Sequence, residues 1–174
     1  CDPVFGDEGR ISARPGVLDF LRDRAAPRAD ILTPNLFELE ILTGVAVADL
    51  ASARAAMGAL RAGGPKVVVC TSFDRETPGG ALDVLALDDE GLHRVRARRL
   101  GRRFEGAGDL FAALFLAAYL DTCATGAALA RASAGVAAVL AATLASGERE
   151  LALIGAQEDM ARAFREGGEA ERLG

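Results

Sequence analysis

Four consecutive apolar residues, Val67 to Cys70, are the feature that most restricts the possible folds of this chain. An unbroken apolar run of this kind is typical of a strand that is buried on both faces. A helical pattern over Leu50 to Ala62 precedes it and ends at Gly63-Gly64-Pro65. Further upstream, the short strand Ile31-Leu32 is followed by a helix over Leu36 to Leu42. This alternation predicts an α/β fold with helices on both sides of a parallel sheet.

The rest of the chain is predicted to be mostly helical. Helical spacing marks Gly16 to Ala25 near the start. Two alternating stretches, Ala81 to Leu87 and Leu92 to Ala97, predict an antiparallel hairpin. Three further helices are predicted downstream, over Leu110 to Leu120, Ala127 to Ala145 and Ala156 to Phe164. We expect residues 1–165 to belong to a single domain and the polar, glycine-rich residues 166–174 to form a flexible tail.

The composition disfavours several classes of partner. The chain has 174 residues and a net charge of −5, so we expect no general attraction to nucleic acid or to anionic membranes. No uncharged apolar run is long enough to cross a bilayer. Cys1, Cys70 and Cys123 lack the spacing of a zinc site, and we expect reduced, buried thiols in a cytoplasmic protein. The chain begins at Cys1-Asp2-Pro3-Val4, which resembles the end of a strand, so we expect an N-terminal part to be missing.

The segment Gly106-Ala107-Gly108-Asp109 is the strongest functional signal. Its glycines form a turn into a helix, and the first N–H groups and the positive dipole end of a helix attract an anion such as phosphate. A carboxylate would compete with that phosphate unless Asp109 faces the group that receives the phosphoryl, which suggests a base beside an anion hole. The alternative is structural, with the glycines shaping a turn and Asp109 stabilising the helix start.

A basic stretch precedes this turn. Its members are Arg94, Arg96, Arg98, Arg99, Arg102 and Arg103. They alternate with apolar residues and have no interleaved aromatic residue for base stacking, so we interpret them as a solvated strand face rather than a nucleic-acid surface. One of these arginines could contact a nucleotide phosphate, and Phe104 could pack near adenine or belong to the core. His93, the only histidine, is assigned no chemistry.

Four sequence blocks, taken together and in this order, resemble the pyridoxal kinases of the ribokinase-like superfamily. The blocks are Cys1 to Asp7, Thr33 to Glu40, Thr71-Ser72 and Gly106 to Ala113. The resemblance runs from Cys1 to about Phe164 and implies a three-layer α/β/α fold with an incomplete central sheet. Hydroxymethylpyrimidine phosphate kinases share the first two blocks, but they typically depart after the glycine turn, where this chain has Asp109-Leu110-Phe111.

The resemblance implies ATP-dependent phosphorylation of the hydroxymethyl group of pyridoxal, pyridoxine or pyridoxamine. Asp109 then corresponds to the catalytic base, and the backbone of the turn Gly106-Ala107-Gly108, together with that of Asp109, corresponds to the anion hole. Phosphoryl transfer chiefly requires an in-line acceptor and preorganised charge around the equatorial oxygens. Residues 1–165 would be the ATP-binding part of one kinase domain.

The block around Thr33 also implies a Mg²⁺ site, with K⁺ as a further candidate ion. Asn35 and Glu38 resemble the pair that organises Mg²⁺ around the triphosphate, and Asp7 resembles another acid near the metal. A spacing of i and i+3 lets the pair face one water-filled site, which suits a cation that keeps several waters. The alternative is a helix cap followed by a surface acid.

The remaining positions resemble phosphate and nucleotide contacts. Asp2 resembles an acid that lines the phosphate region, and Thr33, Thr71 and Ser72 resemble hydroxyls that contact phosphate oxygens. Ligands bind at the carboxyl ends of strands in open α/β sheets, where these hydroxyls are predicted to lie. The alternative is that each hydroxyl satisfies backbone groups of its own turn.

Two departures from the family pattern affect these expectations. Ala107 replaces a threonine that is common in pyridoxal kinases, with little loss expected because the anion hole uses backbone N–H groups. The family's N-terminal third, which supplies most of the pyridoxal pocket, is absent. We therefore expect the chain alone to be inactive. Separately, we expect the full-length protein to be a homodimer. The alternatives are a hydroxymethylpyrimidine kinase and a non-catalytic nucleotide-binding fragment.

Overall fold

A computed structural model describes residues 1–75 and 81–174. The strands are β1 (Gly6–Asp7), β2 (Arg10–Ile11), β3 (Ile31–Leu32), β4 (Val67–Phe73), β5 (Ala81–Leu87), β6 (Leu92–Arg98) and β7 (Glu171–Leu173). The α-helices are α1 (Val17–Phe20), α2 (Leu36–Thr43), α3 (Leu50–Ala62), α4 (Ala107–Thr122), α5 (Thr125–Ser146) and α6 (Gln157–Glu166). A π-helical turn at Leu21–Ala25 and a 3₁₀ turn at Ala26–Arg28 continue α1.

The main sheet is mixed, which corrects the prediction of a parallel sheet. Its strand order is β3-β4-β5-β6-β7, and only β3 and β4 are parallel. The other three pairs are antiparallel. A parallel crossover needs a connection of about a dozen residues or more, and the segment from β4 to β5 is too short for one. The predicted hairpin of β5 and β6 is confirmed.

Strand β4 separates two hydrophobic cores, as its apolar run predicts. Val68 and Cys70 pack into the core that contains the buried side chains of α2 and α3. Val67 and Val69 pack on the opposite face, with buried side chains of α4 and α5. Helices therefore cover both faces of the sheet, and the predicted three-layer α/β/α fold is confirmed.

The first residues of the chain extend the sheet beside β3. The Cys1 amino group donates a hydrogen bond to the Ile31 carbonyl at 2.7 Å. The Thr33 N–H donates to the Cys1 carbonyl at 3.1 Å. This pattern is that of a neighbouring parallel strand, and it places Asp2 at the carboxyl end of β3.

The C-terminal segment differs from the expected flexible tail. Glu171–Leu173 form strand β7, which pairs with β6, and Arg94 Nη2 lies 2.5 Å from Glu171 Oε2. A polar composition is typical of an exposed edge strand and also of a flexible tail. Composition alone therefore did not separate the two.

Helix α5 and the cysteines also refine the sequence-based expectations. By length and composition α5 could cross a membrane, although Arg131 interrupts its uncharged run. In this fold α5 packs against α4, α6 and the sheet. All three cysteines are free thiols, but only Cys70 is buried, so the prediction of burial is wrong for Cys1 and Cys123. Burial raises the pKa of the Cys70 thiol to about 12.

Candidate active site

The carboxyl ends of β3 and β4 bring the predicted hydroxyl residues to one edge of the sheet. Thr33 follows β3 directly and is buried, and its hydroxyl donates to Asp2 Oδ1 at 2.9 Å. Thr71 and Ser72 lie near the end of β4, where the pairing with β5 shifts register between Cys70 and Phe73. Such a bulge changes the direction of side chains and is common beside functional sites.

The N-terminus of α2, at the same edge, is closed by side chains. Asn35 Oδ1 accepts from the Glu38 N–H, and Glu38 Oε2 accepts from the Asn35 N–H, both at 2.8 Å. Glu38 Oε1 accepts from the Phe5 N–H at 3.1 Å. Ser72 Oγ accepts from the Leu36 N–H at 3.2 Å. The helix-cap part of the structural alternative is therefore realised as a capping box, to which Ser72 contributes, but the expected surface acid, Glu38, is buried.

Glu38 holds its carboxylate in an enclosed position. Its side chain is buried, with 3% of the residue exposed. Burial raises the pKa of Glu38, the backbone N–H groups of Asn35, Phe5 and Gly6 oppose that rise, and the charge of Asp2 adds to it. The backbone donors stabilise the charged form in compensation for the lost water. Asn35 Nδ2 donates to the Gly6 carbonyl at 2.9 Å, so this cap also holds the N-terminal segment in place.

The N-terminus of α4 is open instead. Gly106 precedes it with a φ of +81°, a left-handed conformation that favours glycine, and no side chain of the described residues caps the helix. The Ala107 N–H donates to the Phe104 carbonyl at 3.3 Å. The N–H groups of Gly108 and Asp109 have no hydrogen-bond partner among the described residues, and both residues are exposed. This turn has the donors and the access that an anion needs.

Asp109 and Asp2 are electrostatic neighbours in this arrangement. Burial is the largest cause that raises the pKa of Asp2, the Thr33 hydroxyl lowers it, and the negative charge of Asp109 raises it. The structure therefore brings together one half-buried and one exposed carboxylate beside the open helix end. A base needs a solvent-accessible carboxylate near the anion that it serves, and Asp109 meets that condition.

Two arginines before the glycine turn have roles that sequence analysis missed. Arg103 pairs with Asp7 and lies 2.9 Å from Glu8, which joins the β1–β2 hairpin to the segment before α4. The Arg102 guanidinium lies over the Phe104 ring, 4.5 Å from its centroid, so one face of Phe104 is covered. The run of arginines was the sequence signal for these contacts. It did not identify Asp7 and Glu8, the partners of Arg103, because they are distant in the sequence.

Two arginines of β6, Arg94 and Arg96, pair with acids, although Arg96 also remains exposed to solvent. Arg96 makes two hydrogen bonds to the buried Asp83, at 2.8 and 3.0 Å. Arg94 lies 3.7 Å from the same carboxylate and also pairs with Glu171. These arginines balance an acid inside the sheet, which a solvated strand face does not require.

The predicted Mg²⁺ residues do not fit a direct ligand set in this arrangement. The side-chain atoms of Asn35 and Glu38 are engaged in the capping box and in bonds to Phe5 and Gly6. Asp7 accepts from the Glu8 N–H at 2.8 Å and pairs with Arg103. Mg²⁺ commonly keeps several waters and takes one or two carboxylates with substrate phosphates. The metal role of these three residues stays a prediction.

Comparison with known proteins connects this geometry to one family. The family model described as phosphomethylpyrimidine kinase matches residues 1–153. The chain is 44% identical to the pyridoxal kinase PdxY of Leifsonia xyli over 91% of this chain and 56% of that protein. It is 45% identical to the pyridoxal kinase PdxY of Rubrobacter xylanophilus, over 92% of this chain and 56% of that protein.

Solved structures give the same result for the fold. A pyridoxal kinase from Leishmania donovani, solved in complex with ADP and pyridoxamine, is 28% identical and superposes with a TM-score of 0.84. That match covers 100% of this chain and 61% of the solved one. The chain thus spans little more than half the length of the relatives that it matches. Because the family model covers most of its residues, the chain belongs to the phosphomethylpyrimidine kinase family.

Proposed function

We propose that the protein containing this chain transfers a phosphoryl group from ATP to the hydroxymethyl group of pyridoxal. The observation that carries the proposal is the uncapped start of α4, where free backbone N–H groups and an exposed carboxylate lie side by side. Relatives named pyridoxal kinase, 44–45% identical, support pyridoxal as the acceptor. The ADP complex of the Leishmania donovani enzyme supports a nucleotide as the donor.

In this proposal the open turn binds the transferring phosphate. The N–H groups of Gly108 and Asp109 have no partner among the described residues and can donate to phosphate oxygens. The positive end of the α4 dipole adds to this attraction. Charge that develops on the equatorial oxygens is stabilised by donors that need no reorganisation.

Asp109 acts as the base in the same step. Its carboxylate accepts the proton of the hydroxymethyl group as that oxygen attacks phosphorus, and the bond to the leaving ADP oxygen breaks. Asp2, paired with Thr33, lies near enough to Asp109 for their charges to interact.

The other predicted residues have narrower roles in the proposal. Thr71, near the end of β4, remains a candidate contact for phosphate, whereas Ser72 Oγ already accepts from the Leu36 N–H. Mg²⁺ would neutralise charge on the triphosphate. Asn35, Glu38 and Asp7 are retained only as residues that could act on its water shell, because their own atoms have protein partners.

Hydroxymethylpyrimidine phosphorylation is the second candidate, and the description of the matching family model favours it. The test is a comparison of acceptors in the purified protein with ATP and Mg²⁺. Pyridoxal 5′-phosphate formation is followed by absorbance, and ADP release is followed with each acceptor. We expect a higher kcat/KM for pyridoxal than for hydroxymethylpyrimidine. The reverse order would support the second candidate, and no ADP release with either acceptor would contradict both.

The 174-residue chain alone provides a further arm of that test. It spans 56% of the length of the curated relatives, and in-line transfer depends on a held acceptor. We expect the chain alone to bind nucleotide weakly and to form no pyridoxal 5′-phosphate. Robust turnover by the chain alone would place the acceptor pocket within these residues.

A further inference from the structure

The turn between β5 and β6 gathers three side chains that the proposed function does not use. Asp88, Glu90 and His93 each offer one potential ligand atom, and these atoms lie within 4.8 Å of one another. Strand β5 runs antiparallel to β4, so the end of β5 lies at the opposite edge of the sheet from Thr33 and Thr71. The cluster is therefore distinct from the candidate active site.

His93 is the unusual member of this cluster. It is buried, with 6% of the residue exposed, and its Nε2 atom has no hydrogen-bond partner among the described residues. The Nδ1 side of the ring packs against α5, where a Cβ added to Gly126 would lie 3.0 Å from Nδ1. Nε2 is therefore the nitrogen that faces the acids. A buried polar atom without a hydrogen-bond partner requires an explanation. One explanation is that the atom binds a ligand that has not been assigned.

Asp88 is held in position for the same contact. Its Oδ1 accepts from the Glu90 N–H at 2.8 Å and from the Gly91 N–H at 3.0 Å. Oδ1 also lies 3.4 Å from His93 Nε2. Two ligands about 2.0–2.1 Å from a tetrahedral metal ion lie roughly 3.4 Å apart, so this separation suits a shared ion.

Glu90 completes the set from the solvent side. Its side chain is exposed, and Arg172 donates to its backbone carbonyl, which holds the turn against β7. One imidazole and two carboxylates form a ligand set with nitrogen and oxygen donors, which suits a divalent transition metal better than the all-oxygen sites of Ca²⁺.

We propose that Asp88, Glu90 and His93 bind a divalent transition-metal ion such as Zn²⁺ or Co²⁺. His93 coordinates through Nε2 and the two acids through carboxylate oxygens, and the remaining coordination position is open to water or to an external ligand. The buried Nε2 atom, which makes no hydrogen bond to the described residues, then gains a metal ligand bond. The site is independent of the proposed kinase activity.

The test is titration of the purified, tag-free protein with Zn²⁺ by calorimetry and with Co²⁺ by visible absorption. We expect one ion per chain. Glu90→Gln should weaken metal binding by about tenfold or more, which is the loss of affinity typical when a group that supports a metal site is removed. Glu90 is exposed, so this variant should fold normally. Asp89→Asn is the matched control, because Asp89 has the same charge and a 95% exposed side chain outside the cluster.

A second variant tests the role of the imidazole. His93→Gln should abolish stoichiometric binding while circular dichroism confirms a folded protein. Co²⁺ bound by this nitrogen and oxygen set should show no thiolate charge-transfer band. Binding that survives both variants, or a thiolate band from an exposed cysteine such as Cys1, would place the ion elsewhere and overturn the proposal. The absence of binding to the parent protein would also overturn it.

Discussion

The N-termini of α2 and α4 show how one fold uses the same local structure in two ways. At α2, the side chains of Asn35, Glu38 and Ser72 satisfy the first N–H groups. At α4, no side chain caps the helix, and the N–H groups of Gly108 and Asp109 have no partner among the described residues. The first end is partly buried and closed, and the second is exposed and open.

This difference predicts which acids of the family pattern are structural and which are functional. A capped helix start has fewer donors left for a ligand, whereas the donors of an uncapped start must find water or an anion. We therefore predict that Glu38 has a structural role and that Asp109 is available for chemistry. The following substitutions test that division, in order of decreasing expected effect.

The largest effect is expected for Asp109→Asn. Loss of the base should lower turnover with pyridoxal by about a hundredfold to ten-thousandfold, with nucleotide affinity nearly unchanged. Steady-state rates and the Kd for ATP measure the two effects separately. Glu105→Gln is the matched control, because Glu105 is an exposed acid just before the glycine turn and should retain full activity. Normal turnover in Asp109→Asn would remove the assignment of the base.

The next effect concerns stability at the closed end. Asn35→Ala removes the acceptor for the Glu38 N–H and the donor to the Gly6 carbonyl, and should lower the free energy of unfolding by about 1–2 kcal/mol. Urea denaturation measures this change. Asp49→Ala, at the exposed capping box of α3, is the control and should cost less. A large loss of nucleotide affinity at unchanged stability would instead make the α2 end a ligand site.

A smaller effect is expected at Gly106 of the open end. Gly106 has a φ of +81°, so Gly106→Ala should cost about 1 kcal/mol and weaken ATP binding by disturbing the turn. Gly101→Ala is the matched control, because Gly101 lies outside the anion-binding turn and a Cβ there would meet nothing within 4 Å. Thermal unfolding and nucleotide titration of both variants provide the comparison. Equal effects in the two variants would contradict a special role for the Gly106 conformation.

The smallest effect is a pH dependence at Glu38. Burial raises the pKa of Glu38 above its ordinary value of 4.5, so the folded protein binds this proton more tightly than the unfolded chain does. The resulting stabilisation is present below pH 4.5 and is lost as the pH rises through the raised value. Relative to Glu38→Gln, the free energy of unfolding of the parent should fall with rising pH in that window. Parallel curves for the two proteins would contradict the raised pKa.

Local signals in the sequence predicted individual elements well. Helix α3 spans Leu50–Ala62, as its spacing and the glycine stop indicated. The helix cap at Asn35 was also predictable, since the residue type and its place before the helix are local signals, whereas the burial of Glu38 was not predicted. These features depend on residues that are near one another in the chain.

Features that depend on distant residues were not predictable in the same way. The pairing of Arg103 with Asp7 joins residues 96 positions apart, and no local pattern indicates it. Predicting the edge strand β7 would have required knowing where its partner β6 lies, and β6 was itself only a prediction. The open N-terminus of α4 also depends on distant residues, because a side chain from another part of the fold could have capped it.

The contacts of Glu38 have a consequence for the order of folding. One carboxylate group accepts from Asn35 in its own helix start and from Phe5, which lies 33 positions earlier. Helix α2 can form locally, but its buried acid lacks the Phe5 donor until the N-terminal segment docks. Opening of that segment should therefore expose the amides of Phe5 and Asn35 together. Hydrogen exchange would report them as one cooperative unit, joined through a single side chain.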